Sequence, residues 1–292
     1  MAQATRIPGG RRFGLILSAA PALWLLMFFV VPLGVLVAWS FQPPGIVSGL
    51  RRVVTLESYR ITLSAESYWR VLARTGFIAF TVAAVAVVLA YPIAYTLAFA
   101  AERRRSLALT LALLPFLTSY LLRIYAWRLL LGGKGVFNAV LQALGITDGP
   151  IGFFLYSRTA VVLVLIYVWV PWAALPIFLR LDQMDRALVE AAGDLGAGPI
   201  RAFLRVTLPM SLPGVFAAFF FVMIPTLGDF ATASAVGGSG GQMIGNIIQQ
   251  YLNSLSYPAG AVLSVLVLLT ALIAMVAGAK LAGIRDVGDV RV

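Results

Sequence analysis

The sequence predicts an all-α integral membrane protein with six transmembrane helices. Of its 292 residues, 61% are hydrophobic and only 11% are charged, and the mean hydropathy is +0.96. Soluble domains are about half apolar and about a quarter charged, so this much apolar surface does not fit into one aqueous core. The chain also contains six long apolar runs, each close to the roughly 20 residues that cross a bilayer.

The first three predicted spans follow a basic tail at residues 1–14. The run at 15–41 is too long for the apolar core of a signal peptide, and no small-residue cleavage site ends it, so we predict a retained first span. The next two runs, 75–101 and 107–131, are separated only by the charged turn at 102–106. That turn predicts two successive crossings of the membrane.

The last three predicted spans are separated by longer polar segments. A mixed loop at 136–158 precedes the fourth span at 159–179, and the fifth and sixth spans are predicted at 212–227 and 258–281, before a tail at 282–292. Thirteen of the 22 Lys and Arg fall on the side of the N-terminus, seven on the other side and two within a span. This bias predicts that both termini are cytoplasmic.

The composition excludes several classes of site. The sequence has no cysteine and no histidine, so it offers neither disulfides nor Cys/His metal sites. Its net charge of +11 is scattered between the apolar runs, which fits a lipid bilayer as partner and not a nucleic acid. Neither glycine-rich segment ends in the Gly-Lys-Ser/Thr of a phosphate-binding loop. We therefore predict no catalytic residues, no metal and no cofactor in this chain.

The segment between the fourth and fifth spans, residues 182–209, is polar at intervals. From Leu188 to Leu195, apolar side chains recur at i, i+3, i+4 and i+7, which predicts a short amphipathic helix. Gly196 stops this helix, and Pro199 fits the first turn of a second short helix. Such a loop is either an interfacial connector or a helix that docks into a groove of a cytoplasmic protein.

The spacing of residues in this segment resembles the "EAA" loop of binding-protein-dependent ABC importer permeases. In that family the pattern is Glu-Ala-Ala, three residues, Gly, nine residues and then Ile-x-Leu-Pro. This sequence matches every position except one, where Val206 stands in place of Ile. The matching residues, which the resemblance implies contact the ATPase, are Glu190, Ala191, Ala192, Gly196, Leu208 and Pro209.

Three further segments resemble the spermidine/putrescine-type permeases of this family: residues 115–127, 224–230 and 242–250. They imply a polyamine or a related organic amine as the solute. Relatives with similar segments carry opines, phosphonates, thiamine or ferric iron, so these remain alternatives. The sequence departs from the polyamine pattern at 233–238, where an acidic residue is missing.

The resemblance implies the type I ABC importer fold, in which residues 182–209 form a coupling loop that fits into a cleft of a cytoplasmic ABC ATPase dimer. It also implies a second permease subunit, usually a different chain. An extracytoplasmic solute-binding protein would deliver the solute to outer loops, including 42–74 and 229–257. ATP and Mg²⁺ would belong to the ATPase, and the location would be the bacterial cytoplasmic (inner) membrane.

Two charged residues are predicted to lie at similar depth in the outer half of the membrane. A helix rises about 1.5 Å per residue. Counted from the predicted cytoplasmic end of the third span, Arg123 lies about 24 Å along the helix, and Asp229 lies about 26 Å from the corresponding end of the fifth span. A charge there is costly unless it faces a cavity or a partner, or snorkels to the interface. We expect both to line a transport pathway. Tyr120, Tyr125 and Trp127 lie nearby, where aromatic rings attract an amine or form an interfacial belt.

Two other classes of protein are possible in principle. A self-contained secondary transporter would carry coupling-ion carboxylates deep in its spans, and Asp229 is the only acidic candidate. A membrane enzyme would need a clustered catalytic set, which the sequence does not supply. The sequence therefore favours a transport subunit that is not an enzyme.

Overall fold

A computed structural model of the chain describes residues 19–45, 53–99, 107, 110, 114, 118–149, 151 and 155–281. The described residues form helices joined by turns and contain no strand, so the predicted all-α class is confirmed for this part of the chain. The predicted tails at 1–14 and 282–292 lie outside the described residues, as does most of the first half of the predicted third span.

Within the part of the chain that the structure describes, five helices are long and apolar enough to cross a membrane. We label them α1, α3, α6, α8 and α10 in chain order, and they run over Ala19–Ser40, Glu66–Phe99, Arg158–Asp182, Pro199–Leu227 and Tyr257–Leu281. Each overlaps one predicted span. Of the predicted span at 107–131, the structure describes helix α4, Tyr120–Leu131. The count of six spans stays a prediction.

Shorter helices lie in the segments that connect these five. They are α2, α5, α7 and α9, over Glu57–Ser64, Val136–Ala143, Ala187–Asp194 and Ile244–Asn253. The mixed loop predicted at 136–158 therefore begins with a helix. Buried Asn138 holds the loop, because its amide donates to the carbonyl of Gly132 at 2.9 Å and accepts from the amide of Ile151 at 2.8 Å.

The larger of two compact units comprises the described parts of Ala65–Gln250 and Leu266–Val292. In its core α3 packs against α6 and α8. One face of α3 carries four completely buried alanines at helical spacing, Ala79, Ala83, Ala86 and Ala90. Small side chains let helix backbones approach closely, which is the usual basis of helix packing in a membrane.

Helices α6 and α8 approach closely at Gly214. A Cβ atom at this position would lie 2.7 Å from the Cβ of Arg180 and 2.8 Å from the carbonyl oxygen of Pro176. At this crossing the two helices are thus in backbone contact.

At its start, α6 is capped by Ser157. The hydroxyl of Ser157 accepts a hydrogen bond from the amide of Ala160 at 3.0 Å.

The smaller compact unit comprises the described residues up to Ser64 together with Tyr251–Val265. Within it, α2 lies in the predicted outer loop at 42–74 and is tied to the end of α1. The hydroxyl of buried Ser58 donates to the carbonyl of Gln42 at 2.8 Å, and the hydroxyl of Tyr59 donates to Ser40 Oγ at 2.8 Å. The segment predicted as an outer loop is therefore structured at this point.

The prediction of two separate short helices and a fifth span at 212–227 needs correction. The second short helix is continuous with the membrane helix, so that α8 runs without a break from Pro199 to Leu227. The turn at Phe203–Thr207 is π-helical. Pro209 lacks the amide hydrogen that an α-helix would bond four residues back, and the wider turn accommodates it without ending the helix.

Candidate functional site

Helix α7 ends in a Schellman turn that requires glycine. Gly196 has a φ of +78°, in the left-handed region that favours glycine. Its amide donates to the carbonyl of Gly193 at 2.8 Å, and the amide of Ala197 donates to the carbonyl of Ala192 at 2.9 Å. These two bonds define the motif and satisfy carbonyls at the helix end. The four-residue spacing from Ala192 to Gly196 thus has a geometric reason.

No residue of α7 is buried. Glu190 and Ala191 are exposed and Ala192 is half-buried. The apolar side chains that follow are unusually open, with Leu195 89% and Ile200 75% exposed. An open groove of about 650 Å³ adjoins them. Exposed apolar side chains rimmed by charge are typical of a surface that receives another protein. The groove is lined by Gly196, Gly198, Pro199, Ile200, Arg201, Leu204 and Arg205.

The last two residues of the family pattern lie in α8 beyond the π-helical turn. Leu208 is half-buried and Pro209 is exposed, and the amide of Leu208 donates to the carbonyl of Phe203. Thr207, the last residue of the turn, is 1% exposed. The structure thus separates the pattern into an exposed helix, α7, and a partly buried stretch inside α8.

At the other end of α8, Asp229 forms a hydrogen-bonded cluster with α4. Its Oδ2 accepts from the hydroxyl of Tyr120 at 2.5 Å and from that of Thr232 at 3.2 Å. Its Oδ1 accepts from the amides of Thr232 at 3.0 Å and Ala233 at 3.4 Å. The carboxylate therefore caps the helical turn that follows and ties this turn to α4.

The other residues predicted for the pathway lie in different surroundings. The guanidinium carbon of Arg123 is 6.0 Å from the centre of the Tyr120 ring, so this arginine is next to the Asp229 cluster. Tyr125 is half exposed and lines a cavity. Trp127 instead packs its ring parallel to that of Phe137 at 6.0 Å. The structure brings Tyr120, Arg123 and Asp229 together and leaves Trp127 in a packing position.

The cavity beside this cluster has a volume of about 220 Å³. Apolar side chains of α4 and of residues 230–235 form most of its wall. Its polar lining comes from Tyr125, Arg128, Ser234 and Gln249. Hydroxyl and amide oxygens accept hydrogen bonds from an ammonium group, and the tyrosine ring attracts a cation. Among the described residues, no group of three or more Asp or Glu side chains could hold a metal ion.

Sequence reasoning missed two residues of α9 that contact the segment at 228–234, part of which lines this cavity. Asn246 in α9 donates to the carbonyl of Phe230 at 3.0 Å and to Ser234 Oγ at 2.6 Å. Gly245 lies beside it, where a Cβ would be 2.8 Å from the carbonyl oxygen of Asp229. The sequence did contain a signal for this region, because the polar residues Asn246 and Gln249 are three positions apart and so lie on one face of the helix.

Residues 105–282 match the family described as "Binding-protein-dependent transport system inner membrane component". The spermidine/putrescine transport system permease protein PotB of Salmonella typhimurium is 35% identical over 243 residues, which is 83% of this chain and 84% of that protein. The protein of the same name from Escherichia coli is 34% identical over 83% of this chain and 88% of its own length.

A solved structure shares the fold. It is a bacterial alginate ABC transporter in complex with a periplasmic protein bound to an alginate pentasaccharide. The match has a TM-score of 0.71 and 15% identity, and it covers 94% of this chain and 95% of the other.

These comparisons confirm the resemblance noted on the spacing of Glu190 and Gly196. They also agree with a multi-pass protein of the inner membrane, since the described helices include five that could span it. The chain belongs to the family of binding-protein-dependent transport inner-membrane components, the permease subunits of ABC importers.

Proposed function

We propose that this permease subunit forms part of the pathway for a polyamine or a related organic amine. The observation that carries the proposal is the 35% identity, over most of both chains, to a spermidine/putrescine permease. The cavity of about 220 Å³ beside Tyr125 supports it, because it offers hydroxyl and amide acceptors and an aromatic face. The missing acidic residue at 233–238 keeps opines, phosphonates, thiamine and ferric iron as alternative solutes.

The proposed partners follow from the two ends of α8. On the cytoplasmic side, α7 and the groove at Arg201 and Arg205 would receive an ABC ATPase dimer that holds ATP and Mg²⁺. On the outer side, an extracytoplasmic binding protein would deliver the solute. A second permease chain would complete the pathway. This arrangement requires six spans, both termini in the cytoplasm and residues 182–209 as the coupling loop.

Co-purification and transport test the importer proposal. The chain is extracted gently from its native membrane, and the proteins that accompany it in fixed ratio are identified. An ATPase and a second multi-span protein, with uptake that needs ATP and survives collapse of the proton gradient, would support the proposal. A chain that transports alone and requires an ion gradient would be a secondary transporter.

Solute competition tests the substrate. Uptake of labelled putrescine by reconstituted vesicles is measured with excess spermidine, 2-aminoethylphosphonate, thiamine or ferric iron. We expect only the amines to compete strongly. If putrescine is not taken up, uptake of the labelled alternatives is measured directly, and uptake of the phosphonate or of iron would transfer the assignment to that solute.

Substitutions test the pathway residues. We expect Arg123→Ala and Asp229→Ala to lower uptake, and Tyr125→Ala to raise the solute concentration needed for half-maximal uptake. Leu129→Ala is the matched control, because this side chain is on the same helix, is 76% exposed and does not line the cavity. Normal uptake by both the Arg123 and the Asp229 variants would remove these residues from the pathway.

A further inference from the structure

The cytoplasmic half of α3 carries an aromatic face that contacts the start of α8. Tyr91, Tyr95 and Phe99 recur every four residues and so lie on one side of the helix. Phe203, in the π-helical turn, meets the rings of Tyr91 at 5.6 Å and Tyr95 at 5.9 Å, both edge to face. The hydroxyl of Tyr91 also shares a hydrogen bond of 2.8 Å with Ser211 Oγ. This end of α3 therefore holds α8 at Phe203, within the coupling loop, and at Ser211, just beyond it.

A second contact reaches the same end of α3 from the other side of the loop. Arg186 directly precedes α7. Its Nη2 donates to the carbonyl of Ala98 at 3.0 Å, and its guanidinium carbon lies 5.7 Å from the centre of the Phe99 ring. A hydrogen bond from a charged guanidinium to a carbonyl oxygen is stronger than one between neutral groups. The aromatic ring adds a cation–π contact.

We propose that Arg186 and Phe203 clamp the coupling loop onto α3, so that α3 receives the movement of α7 directly. This inference rests on the proposed docking of an ATPase at α7. Covalently, the loop is joined only to α6 and α8. Arg186 is 88 residues from Ala98, so the two contacts add a third helix that the loop can move. The contacts of Arg186 and Phe203 lie on either side of the Schellman turn at Gly196. They therefore hold both α7 and the start of α8 against α3.

Arg186 is thus a positioning residue that acts through α3. It is exposed and contributes no side chain to the core. Its loss should leave α7 free to bind an ATPase, while less of the movement reaches the membrane helices. The signature is ATP hydrolysis without matching transport, which a general loss of stability would not produce.

The experiment compares variants of the complete importer reconstituted in vesicles with its binding protein and solute. The measured quantity is the ratio of solute transported to ATP hydrolysed. Coupling between sites in proteins typically changes an equilibrium by about 5-fold to 150-fold, so Arg186→Met should lower the ratio by about 5-fold or more. Arg186→Lys keeps a charged donor and should restore most of the ratio.

The chain offers a matched control. Arg180 makes the same kind of bond, from Nε to the carbonyl of Met210 at 3.3 Å, but between α6 and α8, which already flank the loop. Arg180→Met should keep the wild-type ratio. An unchanged ratio in Arg186→Met, with the ATPase bound, would overturn the clamp.

Two further outcomes separate a failure of the clamp from a failure of the proposed function. If Arg186→Met does not assemble, Phe99→Leu, which removes only the ring beneath the guanidinium, decides by the same ratio. A lowered ratio in Phe99→Leu supports the clamp, and an unchanged ratio overturns it. If no ATPase binds the wild-type chain, the proposed function itself fails. The two failures are therefore distinguishable.

Discussion

Replacement of Gly214 by alanine tests the close crossing of α6 and α8. The new Cβ would meet the Cβ of Arg180 at 2.7 Å and the carbonyl oxygen of Pro176 at 2.8 Å. Neither atom is the end of a flexible side chain. The first atom would have to recede by about 0.7 Å to reach the 3.4 Å of ordinary contact, so the helices themselves must separate.

The cost follows from this geometry. Overpacking by one methyl group costs about 1–3 kcal/mol where backbone must shift. Alanine also gains about 1 kcal/mol over glycine in a helix interior, which offsets part of the loss. Gly76→Ala is the matched control, because Gly76 lies inside α3 with nothing within 4 Å of a Cβ. The difference between the two variants isolates the steric cost of about 1–3 kcal/mol.

Thermal unfolding of the purified chain in detergent measures this difference. A change of 1 kcal/mol moves the midpoint of a chain of this size by roughly 2–4 °C, so Gly214→Ala should unfold roughly 2–12 °C below Gly76→Ala. A midpoint for Gly214→Ala equal to that of Gly76→Ala would refute the close crossing, because both would then show only the gain in helix propensity.

Three further predictions concern a cap, a turn and a buried bond. Ser157→Ala removes the cap of α6 and should cost about 1 kcal/mol, measured as a lower unfolding midpoint. Gly196→Ala strains a residue at a φ of +78°, by about 1–2 kcal/mol, and should reduce the ATPase retained on purification. Tyr120→Phe removes a donor to the carboxylate of Asp229 and should destabilise the chain by about 1.5–3 kcal/mol, read from the same midpoint.

Each of these three predictions has a control variant at another position of this chain. Gly198→Ala is the control for the turn, because Gly198 has a φ of −65° and open space around it; retention equal to that of Gly196→Ala would contradict the conformational argument. Tyr59→Phe breaks a hydroxyl–hydroxyl bond of 2.8 Å and should cost only about 0.5–1.5 kcal/mol. Thr81→Val is the control for the cap, because the exposed hydroxyl of Thr81 bonds within its own helix, to the carbonyl of Phe77. This variant should lower the midpoint less than Ser157→Ala does.

The short helix α7 and its end at Gly196 were predictable because their signals are local. The i, i+3, i+4, i+7 repeat from Leu188 requires only neighbouring residues, and a glycine at Gly196 stops a helix wherever it stands in the fold. The continuity of α8 through Pro209 was not predictable by the same rules. Proline normally ends a helix, and only the π-helical turn at Phe203–Thr207 shows how the chain avoids the break.

The pathway prediction shows the limit of local reasoning. The sequence placed Arg123 and Asp229 at similar depth, and in the structure both lie next to Tyr120. It could not show that the Asp229 carboxylate accepts four hydrogen bonds, because three of their donors depend on the turn after α8. Nor could it separate Trp127, which packs on Phe137, from Tyr125, which lines the cavity.

The sequence by itself determined the apolar, all-helical class, the approximate positions of five long apolar helices and the family, because hydropathy, periodicity and the spacing from Glu190 to Pro209 are all properties of the chain read in order. Only the tertiary structure decided which side chains meet across helices. The contact of Arg186 with Ala98 joins residues 88 positions apart, and the alanine face of α3 acquires its role only when α6 and α8 pack on it. Such contacts depend on how the helices cross, which no local pattern specifies.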